Sequence, residues 1–156
     1  MVVLSIRIRM AQVLTLAVSC MCMSFPVYAQ IASDRIAIGG VGPGCTPAYV
    51  QGVYGEPSAT ATQTGGVSYN YNGGFIVGFD EGQQQVVAAT CTTDNLSTPD
   101  GVSVGMEASV LSRTYGTADH IYNYNDKTLY VYDGTSGGRL AFDVQNFYII
   151  SISARQ

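Results

Sequence analysis

The feature that most limits the fold of this chain is an internal similarity at an offset of 61 residues. The glycine-rich stretch 40–44 aligns with 101–105, and two tyrosines spaced by one residue follow at matching positions in each half. Between the halves lies a run of turn-forming residues, which is typical of a linker. We therefore predict two tandem units, repeat unit 1 at 30–91 and repeat unit 2 at 101–156, joined by a linker at 92–100.

Each unit opens with the signals of one short helix. In unit 1, Thr46 can cap the helix, Pro47 suits its first turn and Gly55 suits its end. In unit 2 the corresponding helix spans 107–115 and stops at Gly116. Runs of β-forming residues separated by turns follow each helix. They lie at 59–62, 67–71, 75–79 and 85–91, and at 121–124, 128–132, 140–144 and 147–153.

This order of elements predicts a fold of the α+β class. It consists of two tandem copies of a short helix followed by an antiparallel β-meander, with the helices packed on one face of the sheet.

The first 29 residues have the pattern of a secretory signal peptide. Arg7 and Arg9 precede an apolar run, and Val27 and Ala29 provide the small residues of a cleavage site before Gln30. A membrane-spanning anchor fits less well, because the run is short and contains polar residues. A second alternative is lipidation at Cys20, and we expect membrane association only in that case. The sequence thus predicts a periplasmic or secreted protein.

The charge of the exported part excludes one class of partner. Only 12% of all residues are charged, about half the usual share for a soluble domain. Removing Arg7 and Arg9 leaves five basic residues against eleven acidic ones. Nucleic-acid binding needs clustered Lys and Arg, so we expect no nucleic-acid partner.

Two cysteines, Cys45 and Cys91, remain after the signal peptide. In an oxidising compartment two such cysteines usually pair, so the sequence predicts a disulfide between them. The bond would join the start of the first helix to the end of its own sheet. Two thiols and His120 make no recognisable metal-ligand spacing, and we predict no metal and no cofactor.

The alternation within one strand of unit 2 indicates a binding surface. If Tyr130 and Tyr132 face the core, Leu129 and Val131 must face the other side of the sheet. Apolar side chains on both sides need cover on both sides. We expect Leu129 and Val131 either to pack against the other unit or to line a binding surface, to which Tyr122 and Tyr124 would add aromatic area.

One stretch resembles a known superfamily. Residues 44–50 followed by 54–57, reading GCTPAYV and YGEP, are similar to a signature of the superfamily that contains the outer-membrane assembly lipoprotein and the β-lactamase inhibitor protein. Residues 105–116 resemble the same signature, although 117–118 lack its proline. The resemblance implies a non-enzymatic protein that binds other proteins.

Catalytic interpretations of the sequence are weaker. Residues 101–105 match G-x-S-x-G, but a hydrolase elbow needs a parallel sheet and a later Asp and His, and His120 follows Ser103 too closely. Asp80 and Asp143 occupy equivalent positions and could do acid–base work, but a turn role is the simpler interpretation. We predict no catalytic residue.

These observations together predict an exported, non-enzymatic binding module of the bacterial cell envelope. It would contact a protein partner in the envelope or the medium through a tyrosine-rich sheet surface comprising Tyr122, Tyr124, Leu129 and Val131. The alternative is a secreted inhibitor of a hydrolase, as the resemblance implies.

Overall fold

The computed structural model describes residues 30–156. The predicted signal peptide and the alternative lipid site at Cys20 lie outside the described residues. The described part contains a 3₁₀ turn at Ser33–Arg35, two α-helices and eight β-strands. The helices are α1 (Pro47–Tyr54) and α2 (Ser109–Tyr115). The strands are β1 (Ala59–Gln63), β2 (Gly66–Tyr71), β3 (Phe75–Phe79), β4 (Val86–Cys91), β5 (His120–Asn123), β6 (Thr128–Asp133), β7 (Arg139–Gln145) and β8 (Tyr148–Arg155).

All eight strands belong to one antiparallel sheet in the order β1-β2-β3-β4-β8-β7-β6-β5. The two strands at its centre, β4 and β8, pair from Ala88↔Arg155 to Cys91↔Ile152. The predicted α+β fold of two tandem helix-plus-meander copies is therefore wrong. The described chain is instead a mainly β structure in which a single sheet carries two short helices.

The error has a physical cause at the edges of the strands. Alternation and turn residues locate strands along the chain, and the observed strands do lie within two residues of the predicted ones. Alternation and turn residues do not show which strand pairs with the last strand of each half. An unpaired strand edge is a liability, and pairing β4 with β8 covers two such edges while it merges the halves into one sheet.

The hydrophobic core lies on the side of the sheet that the helices cover. Val50 of α1 and Leu111 of α2 are fully buried against this face. The chain before α1 also contributes to the core through Ile31, Ile36, Ile38 and Val41. Two aromatic groups join the helices to the sheet: Tyr54 at the end of α1 packs on Tyr71 and Phe75, and Tyr115 at the end of α2 packs on Tyr132 and Phe142.

The predicted ends of α1 agree with its geometry. The Thr46 hydroxyl accepts a hydrogen bond from the Tyr49 amide at 3.2 Å, as an N-cap side chain should. Gly55 ends the helix with φ +76°, a backbone conformation that favours glycine. In α2 the cap residue Ala108 offers no side-chain acceptor.

The turn between β7 and β8 holds a strained residue. Asn146 and Phe147 both have positive φ, at 50° and 71°, as a two-residue type I′ turn requires. The second position normally takes glycine, whereas Phe147 is a bulky residue that is 79% exposed. The turn therefore gains little from burying this ring.

We expect Phe147→Gly to raise the free energy of unfolding by about 0.5–1 kcal/mol, since glycine removes a left-handed strain of about 1–2 kcal/mol while adding some unfolded-state entropy. Urea unfolding measures the change. Phe147→Leu, which keeps a side chain at this φ, is the matched control and should leave stability nearly unchanged. A loss of stability on Phe147→Gly would show that the ring packs against the protein.

Candidate functional site

The four predicted binding residues come together on one side of the sheet. Tyr122 in β5 lies directly opposite Leu129 in β6. Val131 follows two residues along β6, and Tyr124 lies just after β5, where its amide bonds to the Lys127 carbonyl at 2.8 Å. All four line one shallow depression of about 410 Å³. The structure thus brings the four residues together, and their role in binding stays a prediction.

This depression lies on the side of the sheet away from the helices. Strand alternation places Tyr130, Tyr132 and Phe142 on the core side, so their neighbours in sequence point the other way. We call this second side the open face. Its positions on the second half of the sheet are His120, Tyr122, Leu129, Val131, Asp133, Arg139, Ala141, Asp143, Ser151, Ser153 and Arg155.

Val131 distinguishes the open face from an ordinary solvated surface. Its side chain is only 4% exposed, yet it is not part of the core cluster that the helices cover. Leu129 is partly buried beside it. Of the two explanations that the sequence left open, packing against a second unit does not apply, because both halves share one sheet. The pair instead forms an apolar floor in the depression.

Charged residues that the sequence did not assign to the binding surface line the same depression. They are Lys127, Arg139, Asp143 and Arg155. The signal that could have identified them is the same alternation that located Leu129 and Val131, continued into β7 and β8. The predicted meander already placed these strands side by side, but the predicted ranges 140–144 and 147–153 left out Arg139 and Arg155.

Most of these charges are paired. Lys127 Nζ lies 3.0 Å from Asp143 Oδ1, and the hydrogen bond to this carboxylate raises the pKa of Lys127. At the other end, Asp133 contacts two groups: His120 Nε2 at 3.1 Å and Arg139 Nε at 3.9 Å. The depression therefore combines an apolar floor with charged ends, an arrangement suited to an amphipathic ligand.

The predicted disulfide between Cys45 and Cys91 is wrong, because both are free thiols in the structure. The backbone carbonyl of Cys45 accepts a hydrogen bond from the amide of Val86, the first residue of β4. Cys91 is the last residue of that strand, about 16 Å from Val86 at the usual rise per residue. A disulfide needs Cα atoms within about 7 Å. The sequence placed Cys91 correctly at the end of β4, and the error was that Cys45 lies beside the start of that strand.

The free state of both cysteines can be tested in solution. We expect Ellman's reagent to detect two reactive thiols per chain in residues 30–156 after unfolding without a reductant. In the folded protein the partly exposed Cys45 should react first, while the buried Cys91, which donates to the Thr93 carbonyl at 3.2 Å, should react only on unfolding. Finding no thiol in the unfolded monomer would contradict the structure.

The catalytic candidates are engaged in separate parts of the structure. Asp80 accepts backbone hydrogen bonds from Gln84 and Gln85 and so stabilises the turn before β4. Asp143 is bound to Lys127 on the open face, and not in a turn. Ser103 forms an isolated bridge with Ser97, whereas His120 contacts Asp133.

Within residues 30–156, no three His, Cys, Asp or Glu side chains come together as a metal-binding group. In the same range no helix is both long enough and apolar enough to cross a membrane.

Comparison with known proteins gives structural matches alone. No protein-family model matches the sequence, and no curated protein matches it significantly. One similar structure is a cysteine-rich secretory protein from Staphylococcus aureus subsp. aureus Mu50, with a TM-score of 0.56 and 8% identity over 83% of this chain. Another is an extracellular protein containing an SCP domain from Bacillus anthracis str. Ames, with a TM-score of 0.50 and 11% identity over 72% of this chain.

The chain spans about half the length of these two proteins, 50% and 43% respectively. At such low identity the likeness concerns the fold. The resemblance to the assembly lipoprotein and β-lactamase inhibitor superfamily is therefore wrong, since the similar structures are secretory and SCP-domain proteins. Its motif consisted of cap and turn residues such as Thr46, Pro47 and Gly55, which specify the ends of a helix and recur in unrelated folds.

Proposed function

We propose that this chain is an exported, non-enzymatic protein that binds a protein partner through the depression in its open face. Export is supported by the pattern of residues 1–29, and it agrees with the extracellular and secretory descriptions of the two similar structures. The proposed setting is the bacterial cell envelope or the medium. The inhibitor alternative rested on the superfamily resemblance and has no support of its own here, so it is not proposed.

One observation supports the binding role most strongly. Tyr122, Tyr124, Leu129 and Val131 form a partly apolar depression on the side of the sheet opposite the core. Of these four residues, Tyr122 is 49% exposed and Tyr124 is 55% exposed. Tyrosine offers a large contact area with a polar tip and is enriched at protein interfaces. Within the chain, Tyr122 stacks on His120 and the Tyr124 ring lies beside the Lys127 ammonium group, which leaves about half of each tyrosine exposed.

The structure provides a matched pair of variants to test this role. Tyr122 and Ile121 are neighbours in β5 with nearly equal exposure, 49% and 52%. Tyr122 borders the open-face depression, whereas Ile121 lies on the other side, beside α2. A change at either position should affect the fold to a similar extent.

We expect Tyr122→Ala to weaken binding of the partner by at least about 30-fold, equivalent to about 2 kcal/mol for an anchoring tyrosine. Ile121→Ala should bind like the wild type. Residues 30–156 would serve as bait for envelope and medium proteins, and the affinity of any retained protein would then be measured by calorimetry with both variants. Equal affinities of the two variants, or a loss with Ile121→Ala alone, would refute the open-face assignment.

A further inference from the structure

Two arginines stand directly opposite each other on the open face, and this arrangement bears on what the proposed binding surface recognises. The inference rests on the function proposed above. Arg139 in β7 and Arg155 in β8 are register partners, and both line the depression. Like charges at directly opposed positions of a sheet destabilise it. A bound anion between the two guanidinium groups would remove this cost.

The surrounding carboxylates do not neutralise both arginines. Asp143 is occupied by Lys127. Asp133 is shared between His120 and Arg139, and its distance from Arg139 is the longer one, 3.9 Å. Among residues 30–156, no carboxylate lies within 4 Å of the Arg155 guanidinium. Arg155 is therefore the uncompensated cation of this site.

The distribution of charge over the chain makes this cluster unusual. The described part has five basic and eleven acidic residues. Three of the five basic residues, Lys127, Arg139 and Arg155, line this one depression. An acidic protein that gathers its cations at one place has an electrostatic preference there opposite to that of its whole surface.

The apolar floor of Leu129 and Val131, which Ala141 extends, begins two residues from the arginine pair. Val131 and Ala141 are register partners in the row beyond Asp133 and Arg139. Two residues of extended chain cover about 7 Å, which is also the spacing between alternate side chains of an extended peptide. A ligand in extended conformation thus reaches the arginines with one side chain and the floor with the side chain two positions away.

We propose that the Arg139–Arg155 pair binds a carboxylate of an extended segment of the protein partner, and that an apolar side chain two residues from this acidic residue packs on Val131 and Ala141. Arginine suits this role because its planar group can bind a carboxylate through two hydrogen bonds. The apolar floor favours a peptide over an acidic sugar, whose hydroxyl groups would lose their partners on Leu129 and Val131.

The test uses two synthetic peptides and the protein 30–156. The first is acetyl-Ser-Glu-Ser-Leu-Ser-amide, and the second has Gln in place of Glu. We expect the first peptide to shift the NMR resonances of Val131 and Ala141 and to bind at least tenfold more tightly than the second. Raising the salt concentration from 50 to 500 mM should weaken its binding several-fold.

Arg155→Gln should reduce the affinity for the acidic peptide at least tenfold. Arg113→Gln is the matched control, because Arg113 lies on α2 and bonds to Ser109 of its own helix, and it should bind like the wild type. Equal binding of both peptides, an equal loss with both variants, or no binding of either peptide at millimolar concentration would overturn the proposal. Arg155-dependent binding of an oligogalacturonate in place of the peptide would overturn the peptide assignment.

These outcomes are separate from failure of the proposed function. If the captured protein still depends on Tyr122 and not on Ile121 while the acidic peptide does not bind, the open face is the binding surface and the arginine pairing is wrong. If the captured protein binds the Tyr122→Ala variant as tightly as the wild type, both proposals fail together.

Discussion

Replacing Phe142 with alanine is expected to lower the free energy of unfolding by about 4 kcal/mol, within the range for deleting a buried phenylalanine ring. Phe142 lies in β7 with no exposed surface. Its ring centroid is 5.5 Å from that of Tyr115 on α2 and 6.0 Å from that of Tyr132 on β6. The ring thus joins the helix to the sheet, and a cavity at this point would remove contacts on both sides.

Urea unfolding followed by far-UV circular dichroism measures this loss. Asp143→Ala is the matched control, because it removes the next side chain of β7 from the opposite, open face. It disrupts only a partly exposed ion pair with Lys127, so its cost should stay below about 1 kcal/mol. If Phe142→Ala lowered the free energy of unfolding no more than Asp143→Ala does, the assignment of Phe142 to the core face would be wrong.

The second large effect is a loss of stability at alkaline pH. Burial raises the pKa of Tyr132 from 10.0 to about 12, and burial also raises the pKa of its neighbour Tyr115, whose hydroxyl is hydrogen-bonded to Thr98 at 2.7 Å. Folding therefore favours the neutral phenols. Their contribution is fully present below pH 10, where the unfolded chain also keeps its protons, and it is lost as the pH rises toward the folded value.

We expect the free energy of unfolding to fall by at most about 2 kcal/mol between pH 10 and 12 from Tyr132 alone, with Tyr115 adding to the loss. Urea unfolding at a series of pH values measures it. Tyr132→Phe should flatten the curve in this range, whereas Tyr124→Phe, a change at an exposed tyrosine, should leave it unchanged. A Tyr132→Phe curve as steep as that of the wild type would contradict the burial of this phenol.

Local features of the fold could be predicted because they depend on near neighbours in the sequence. Thr46, Pro47 and Gly55 define α1 through hydrogen bonds and dihedral preferences that lie within a few residues. Alternation places Val131 on the face opposite Tyr130 and Tyr132 for the same reason. Such features do not depend on which distant strand lies alongside.

Long-range pairing could not be predicted in this way. The joining of β4 to β8 depends on strand edges whose paired residues are 61 to 67 positions apart in the chain, from Cys91↔Ile152 to Ala88↔Arg155, and no local pattern encodes which edges meet. The wrong disulfide has the same kind of cause, because no local pattern places Cys45 beside Val86, at the start of β4, rather than beside Cys91 at its end. The arginine pair was missed for a different reason: the predicted strands 140–144 and 147–153 stop short of Arg139 and Arg155, which lie in β7 and β8.

Tyrosine nitration in the presence of the partner tests the central claim most directly, namely that the open face is the binding surface. Tyr122 on the open face and Tyr49 on α1 are both 49% exposed, so tetranitromethane should modify them to a similar extent in the free protein. With the partner bound at saturation, we expect Tyr122 and Tyr124 to be protected and Tyr49 to be modified as before. Protection of Tyr49, with Tyr122 and Tyr124 still fully nitrated, would contradict the account.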